Sequence, residues 1–364
     1  MKIVFFSNSS WSIYNFRRNL IKKLIKGGKT VYILSSKDKQ TNKLRALGCK
    51  FVNINIQNNN INPIKDFLLI LKLKKILSEI DPDYILNFTI KPLIYGTFVA
   101  GKLNIKSISM ITGLGTIFIK KNFLTLIVIF LYRISFSKVY RVIFQNKDDR
   151  KKFTRLKIVK QNKCVLSPGS GVDLKYFKYT KNNFTSKTNF LLSGRLLREK
   201  GVYEFIEAAR KINNETENCK FKIVGSIDKK NPSSINESIL KDFLINKNNS
   251  FNTFSEDIRK FINWSNCVVL PSYREGTPRG LLEALSTGRP IITTDAVGCK
   301  EVIDNNKNGF KIKIKDVDSI YLAIKKFHNL NLYKKIKMSK YSRKFVSKKF
   351  NEKIVISIYE KLIK

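Results

Sequence analysis

Acidic residues are scarce in this chain: 27 Asp and Glu stand against 70 Lys and Arg, a formal net charge of +43 over 364 residues. Histidine is scarcer still. His328 is alone, which excludes imidazole acid–base chemistry and histidine metal sets from the rest of the chain. The five cysteines, Cys49, Cys164, Cys219, Cys267 and Cys299, form no C-x-x-C pair; this argues against a zinc site and for a reducing, cytosolic compartment. Long apolar runs are missing too. The longest, "FLTLIVIFLY" from Phe123 to Tyr132, is about half of the ~20 residues that span a bilayer. The opening "MKIVFFSNSSW" lacks a small-residue cleavage site and reads as a first buried strand, not a signal peptide.

The cationic excess is uneven. Residues 1–180 carry 34 Lys and Arg against eight acids, residues 181–364 carry 36 against 19. Part of this belongs to a composition rich in Lys, Ile and Asn throughout, since the basic residues are diffuse and not gathered into a tail. The remainder points to an anionic partner of the amino-terminal half, a lipid headgroup surface or a polyanionic substrate. Nucleic acid is not that partner: there is no RNA-recognition, zinc or helix-turn-helix signature and no basic block interleaved with stacking aromatics.

A chain this long exceeds what one core fills, so two domains are expected. Short β-branched and aromatic runs alternate with helical stretches, the pattern of parallel sheets with crossover helices. Strands are predicted at 2–7, 30–36, 50–56, 84–89, 107–112, 141–146 and 164–168, then at 190–194, 220–225, 250–255, 267–272, 290–295 and 310–314. The polar stretch "YTKNNFTSKTN" (179–189) separates the two sets and reads as a linker. Domains of 1–181 and 182–345 follow, with 346–364 as a carboxyl-terminal helix expected to pack back on the first domain. Such doubly wound sheets bind ligands at the carboxyl ends of their strands, and two of them imply a cleft.

The second set of strands carries the chemistry. "CVVLPS" leads into "YREGTPRGLLEALSTGRP", where Thr277 is a predicted N-cap and Pro278 the first helical residue. Glu275 then lies in the strand-to-helix loop and Glu283 inside the helix. The pair reads either as ordinary helix-end carboxylates or as two contacts to one ligand lying across the helix start. Backbone N–H groups of that first turn, in a loop containing Gly276 and near Gly280, suit phosphate oxygens. Earlier, "SGRLLREKG" sets Gly194 at a strand end, Arg195 just past it and Lys200 five residues on, and "KFKIVG" ends at Gly225. Two cations there suit the charge that a departing diphosphate develops.

Taken in order, "GRLLREKG", "FKIVGSID", "VVLPSYREGTPRGLLEALSTGRPIITTDAVGCKEVI" and "NNKNGF" resemble the retaining GT-B glycosyltransferases of family four. Upstream, "SWSIYNFRRNLI", "FTIKPLIYGTFVA", "ITGLGTIF", "VIFQNKDD" and "PGSGVD" look like its capsule, O-antigen and glycan-assembly branch. The resemblance implies two Rossmann-like α/β domains facing across a cleft. It implies a UDP-sugar donor and a polyprenyl-diphosphate-linked saccharide acceptor. Glu283 would hold the ribose hydroxyls, Glu275 would meet the donor sugar, and Arg195 and Lys200 would clamp the diphosphate. Gly194, Gly225, Gly276, Thr277, Pro278 and Arg279 would line the donor site. Ser9, Ser10, Lys91, Thr112, Gly113 and Gly115 would line the acceptor side of the cleft. Many relatives place Gly-Gly in the first strand-to-helix loop, where this chain has "SNSSWS". Some relatives use an amino-domain histidine, which this chain lacks.

With no evident nucleophile, retention is expected by front-face displacement, the leaving phosphate taking the acceptor proton. No cofactor is expected, and no metal: no Asp-x-Asp triad falls at the expected cleft, and the two cations replace Mg2+. The segment 119–141, with an apolar centre and Lys121, Arg133, Lys138 and Arg141 on its flanks, reads either as a buried helix or as a surface leaning on an anionic membrane. The latter places the protein in the cytoplasm, peripheral at the inner face of the cell membrane. A nucleotide-sugar epimerase on the same scaffold is the alternative activity.

Overall fold

Runs such as "YILNF" and "CVVL" are buried on both faces, as strands of a parallel sheet covered by helices must be. A computed structural model describes residues 1–56, 62–114, 118, 123–228 and 231–364. It divides into two units, Met1–Ser170 with Val355–Lys364, and Gly171–Ile354.

The first unit holds β1 (Lys2–Ser9), β2 (Thr30–Ser36), β3 (Lys50–Asn53), β4 (Tyr84–Phe88), β5 (Lys106–Ile111), β6 (Arg141–Phe144) and β7 (Cys164–Leu166). Its helices are α1 (Ser10–Lys26), α2 (Thr41–Ala46), α3 (Pro63–Ile80), α4 (Thr97–Lys102), α5 (Phe123–Phe136) and α6 (Lys147–Arg155). The second unit holds β8 (Thr188–Ser193), β9 (Cys219–Val224), β10 (Asn249–Asn252), β11 (Cys267–Leu270), β12 (Ile291–Thr294) and β13 (Gly309–Ile312). Around them lie α7 (Val202–Asn213), α8 (Glu237–Leu244), α9 (Arg259–Trp264), α10 (Arg279–Ser286), α11 (Val317–His328) and α12 (Leu332–Lys349). The last helix, α13 (Glu352–Leu362), carries the chain back to the first unit.

Strand order is β3-β2-β1-β4-β5-β6-β7 in one sheet and β10-β9-β8-β11-β12-β13 in the other, with the pairings parallel. Both sheets therefore reverse direction of winding beside their first strand, at β1/β4 and at β8/β11. At such a switch point the loops leaving the two strands turn to opposite faces and open a crevice between them.

Alternation along β1 sorts the first core into two layers. Ile3 and Phe5 pack with Leu20, Ile21 and Leu24 of α1 and with Val355, Tyr359 and Ile363. Val4 and Phe6 pack with Leu69, Leu73 and Leu77 of α3 and Val99 and Ala100 of α4. In the second unit Phe190 and Phe221 stack at 5.4 Å and 17° under Phe205 and Phe327.

The change of units falls at residues 170/171, ahead of the stretch read as a linker. Residues 171–187 belong to the second unit because their backbone is bonded to it. Val172 donates to Phe350 O and accepts from Glu352 N at 2.9 and 3.1 Å. Arg289, 1% exposed, gives its guanidinium to the carbonyls of Thr180, Ser265, Thr287 and Asn263. The same backbone exchange at 350–352 splits the expected helix 346–364 into the end of α12 and α13. His328 lies at the end of α11, its Nδ1 2.9 Å from Thr188 Oγ1 at the start of β8, the edge of the sheet opposite to the strand ends that carry the site.

Because the buried Arg289 guanidinium bonds four backbone carbonyls, those of Ser265 and Thr287 away from water, Arg289→Met should destabilise the protein by about 3 kcal/mol or more. Urea denaturation of the two proteins measures this; equal midpoints would contradict it.

Candidate active site

At the β8/β11 switch point the loops 194–201 and 271–278 lie side by side. The carbonyl of Glu199 binds them: it accepts from Tyr273 N at 2.9 Å and from Ser272 Oγ at 3.0 Å. Lys200 follows directly, and its Nζ is ion-paired with Glu275 Oε1. The two side chains are 21% and 14% exposed, shielded enough from water for the charges to matter. A second pair stands at the helix start, where Arg279 Nε donates to Glu283 Oε1 at 2.9 Å one turn along α10. Gly280 lies against Ser193 at the end of β8, so the first turn of α10 opens beside the β8 loop. Arg195 is exposed just past β8 and makes no ion pair among the described residues.

Two close approaches depend on the absence of a Cβ. At Gly225 a Cβ would lie 1.9 Å from Gly194 O, so only glycine lets the loops after β8 and β9 meet. Gly298, at φ +85°, brings the loop after β12 onto the Glu275 loop; a Cβ there would fall 2.3 Å from Glu275 O. Glu275 N in turn donates to Val297 O at 2.9 Å. Neither Gly298 nor Val297 stood out in the sequence, although a glycine midway between β12 and the next element was the available signal. Cys299 is buried beneath this loop, and burial, with the Glu275 charge adding to it, pushes its thiol up to about 12. It is no nucleophile. Burial and a hydrogen bond to Glu204 likewise hold the Tyr273 phenol well above its usual range.

The structure thus gathers Gly194, Arg195, Lys200, Gly225, Glu275, Gly276, Thr277, Pro278, Arg279 and Glu283 at one end of one sheet. The helix begins one residue later than expected: Pro278, with extended ψ of 104°, is the N-cap, and Thr277 precedes it. The residues expected on the acceptor side sit in the first unit. Thr112 and Gly113 directly follow β5, while Gly115 lies outside the described residues. The expected "SNSSWS" loop does not form, because β1 runs to Ser9 and α1 starts at Ser10. Ser9 is the N-cap, accepting from Ser12 N at 3.3 Å. Ser10 is corrected from ligand contact to anchor: it is fully buried, its hydroxyl 2.9 Å from those of Ser35 and Thr41. Lys91 pairs with Asp66 at 2.6 Å. Beside it Thr89 takes a left-handed φ of 72°, costly for a β-branched residue, and its hydroxyl reaches Asn8 Oδ1 at 2.8 Å.

Comparison with known proteins places the chain in a family. Residues 177–345 match the family model "Glycosyl transferases group 1", and residues 2–146 match "Glycosyl transferase 4-like". The N,N'-diacetylbacillosaminyl-diphospho-undecaprenol alpha-1,3-N-acetylgalactosaminyltransferase of Campylobacter jejuni is 30% identical over 337 residues, 88% of this chain and 87% of that enzyme. The UDP-Gal:alpha-D-GlcNAc-diphosphoundecaprenol alpha-1,3-galactosyltransferase of Escherichia coli is 28% identical over 73% of this chain and 71% of its own. HepE of Anabaena, solved in complex with UDP and glucose, superposes with a TM-score of 0.80 over 100% of this chain and 99% of its own, at 16% identity. The chain belongs to the group 1, family-four-like glycosyltransferases and has their GT-B fold.

Gly298→Ala adds a side chain in a left-handed position against the Glu275 backbone, so it should lower the melting temperature and weaken donor binding together. Thermal unfolding with and without UDP measures both; a variant matching the parent in each would refute the packing role.

Proposed function

We propose that the protein moves an N-acetylhexosamine from a UDP-sugar, with retention of anomeric configuration, to a saccharide carried on a polyprenyl diphosphate during cell-surface polysaccharide or glycan assembly. The observation that carries this reading is the pair of opposed charges at one switch point, Lys200 with Glu275 and Arg279 with Glu283. The two relatives named above, both acting on diphospho-undecaprenol saccharides, support the acceptor class, and the UDP complex of HepE supports the donor class.

In this reading Arg195 and Lys200 hold the diphosphate of the donor and offset the charge that grows on it as the C1–O bond breaks. The acceptor hydroxyl attacks C1 from the same face, and its proton passes to the departing phosphate oxygen. Glu275, tied to Lys200 and to the Val297 carbonyl, orients the sugar and does not attack it. Glu283 accepts from the ribose hydroxyls, with Arg279 fixing its carboxylate. The cations serve where a metal ion would otherwise stand, so chelators should leave turnover unchanged.

The membrane completes the proposal. Among the described residues no helix is long and apolar enough to cross a bilayer. Helix α5 has a buried face of Val128, Tyr132 and Phe136, and an opposite face of Phe123, Leu126, Ile127, Phe130 and Ile134 that is exposed and apolar. The buried face accords with the first reading of 119–141 and the exposed apolar face supports the second; residues 119–122 lie outside the described residues. We place the apolar face on the cytoplasmic leaflet, where the cationic amino-terminal half meets anionic headgroups.

Three measurements decide the matter. Glu283→Ala should raise donor KM about tenfold, and Glu275→Gln should lower kcat about 100-fold. Proton NMR of the product should give the donor's anomeric configuration. Wild-type values for both variants, or an inverted product, would contradict the roles. Sedimentation with anionic vesicles should fall with salt and with Leu126→Ser/Phe130→Ser; binding equal to that on neutral vesicles would remove the membrane arm.

A further inference from the structure

One helix of the second unit holds a store of charge that the donor chemistry does not use. Over Leu332–Lys349, α12 carries eight basic residues and no acid, and so supplies eight of the net 17 positive charges of residues 181–364. A lysine-rich composition does not account for this, because a diffuse excess would spread over the unit.

Two of the eight serve the fold. Lys335 is buried and donates to His328 O at 2.7 Å, and Arg343 donates to the carbonyls of Phe177 and Ser286 at 2.9 and 2.8 Å. Phe345 and Val346 share a core with Leu281, Leu282 and Leu285 of α10, so the inner face of α12 is fixed on the helix that bears Arg279 and Glu283. The outer face is different. Lys337, Lys340, Lys344 and Lys348 recur at spacings of three and four residues, all exposed and in no ion pair among the described residues. Neighbours on such a stripe stand about 5–6 Å apart and repel one another, at a cost to the helix. That spacing is within the Debye length of about 8 Å, so the four act as one field. An anionic surface relieves the repulsion. The stripe starts at Tyr333, 72% exposed, with Leu332 and Ile336 exposed beside it.

The residue types select the partner. Lysines are mobile point charges, depleted from protein interfaces, and one exposed tyrosine gives nucleic-acid bases no stacking platform. A fluid sheet of anionic headgroups asks no fixed geometry of them. A tyrosine with two aliphatic neighbours at one end of the stripe suits the headgroup boundary, where an amphipathic ring is at home.

We propose that the outer face of α12 is a membrane contact of the second unit, binding anionic phospholipid headgroups through Lys337, Lys340, Lys344 and Lys348 with Tyr333 at the boundary. The proposal rests on the membrane-borne acceptor argued above and goes beyond it, since the contact assigned there belongs to the first unit. The donor-binding unit thereby has its own hold on the leaflet, through the helix that backs α10.

Sedimentation of the full chain with vesicles of phosphatidylglycerol and phosphatidylcholine, against phosphatidylcholine alone, tests this without any acceptor, so the result stands apart from the acceptor reading. Lys337→Gln/Lys340→Gln/Lys344→Gln/Lys348→Gln keeps good helix formers. It should lower partitioning onto the anionic vesicles at least about tenfold and flatten its salt dependence. Lys181→Gln/Lys187→Gln/Lys241→Gln/Lys313→Gln removes the same charge from exposed positions elsewhere in the second unit and should change partitioning less than about twofold. Both variants should keep the parent's affinity for UDP and its unfolding midpoint, which report the donor site and the fold. Unchanged partitioning of the α12 variant, or equal losses in the two variants, would overturn the proposal. So would single-stranded RNA that bound with the same dependence on these lysines and displaced the protein from the vesicles. A loss seen only with Leu126→Ser/Phe130→Ser would remove the α12 contact and keep that of the first unit; a loss seen only with the α12 variant would do the reverse.

Discussion

The ion pair of Lys200 with Glu275 depends on a single topological fact, that β11 is inserted next to β8 in the second sheet. Two loops 75 residues apart in the chain are thereby set on neighbouring strand ends, and the Glu199 carbonyl bonds one to the other. The charges are then fixed by backbone and not by flexible side chains reaching through water. In the proposed reaction a transition state that develops charge on a diphosphate would meet groups already in place, which is how preorganised sites lower barriers.

The first unit works by a different balance. Its charge is strongly positive, yet its most telling surfaces are apolar: α3 and α5 each bury one stripe in the core and expose another. Since α4 packs against both helices, the two stripes lie on the same face of the sheet. An exposed apolar stripe is a liability in water and an asset at a lipid surface, where neighbouring lysines gain from anionic headgroups.

Much of the architecture was legible in the sequence. Each of the thirteen strands described coincides with a predicted one, because runs buried on both faces, such as "KIVFF" and "CVVL", have one available explanation when helices alternate with them. Strand ends were read too long where polar residues continued the alternation, as at Asn53 and Asn252. The linker was misplaced because its polar composition resembles a loop, whereas Arg289 and Arg343 tie residues 174–180 to the second unit through backbone carbonyls. Partners of that kind leave no periodic trace. That Gly194, Lys200, Glu275 and Glu283 come together at one sheet end was legible since motif order survives in sequence; Gly298 was not, because its need arises only from where Glu275 is folded.

In the proposed reaction the second unit grips a nucleoside diphosphate through Lys200. Titration calorimetry of UDP against the wild type and Lys200→Ala tests it most directly. A wild-type site weakened about tenfold or more by the substitution, with unfolding midpoint little changed, is the predicted result. Equal affinity in the two proteins would contradict it.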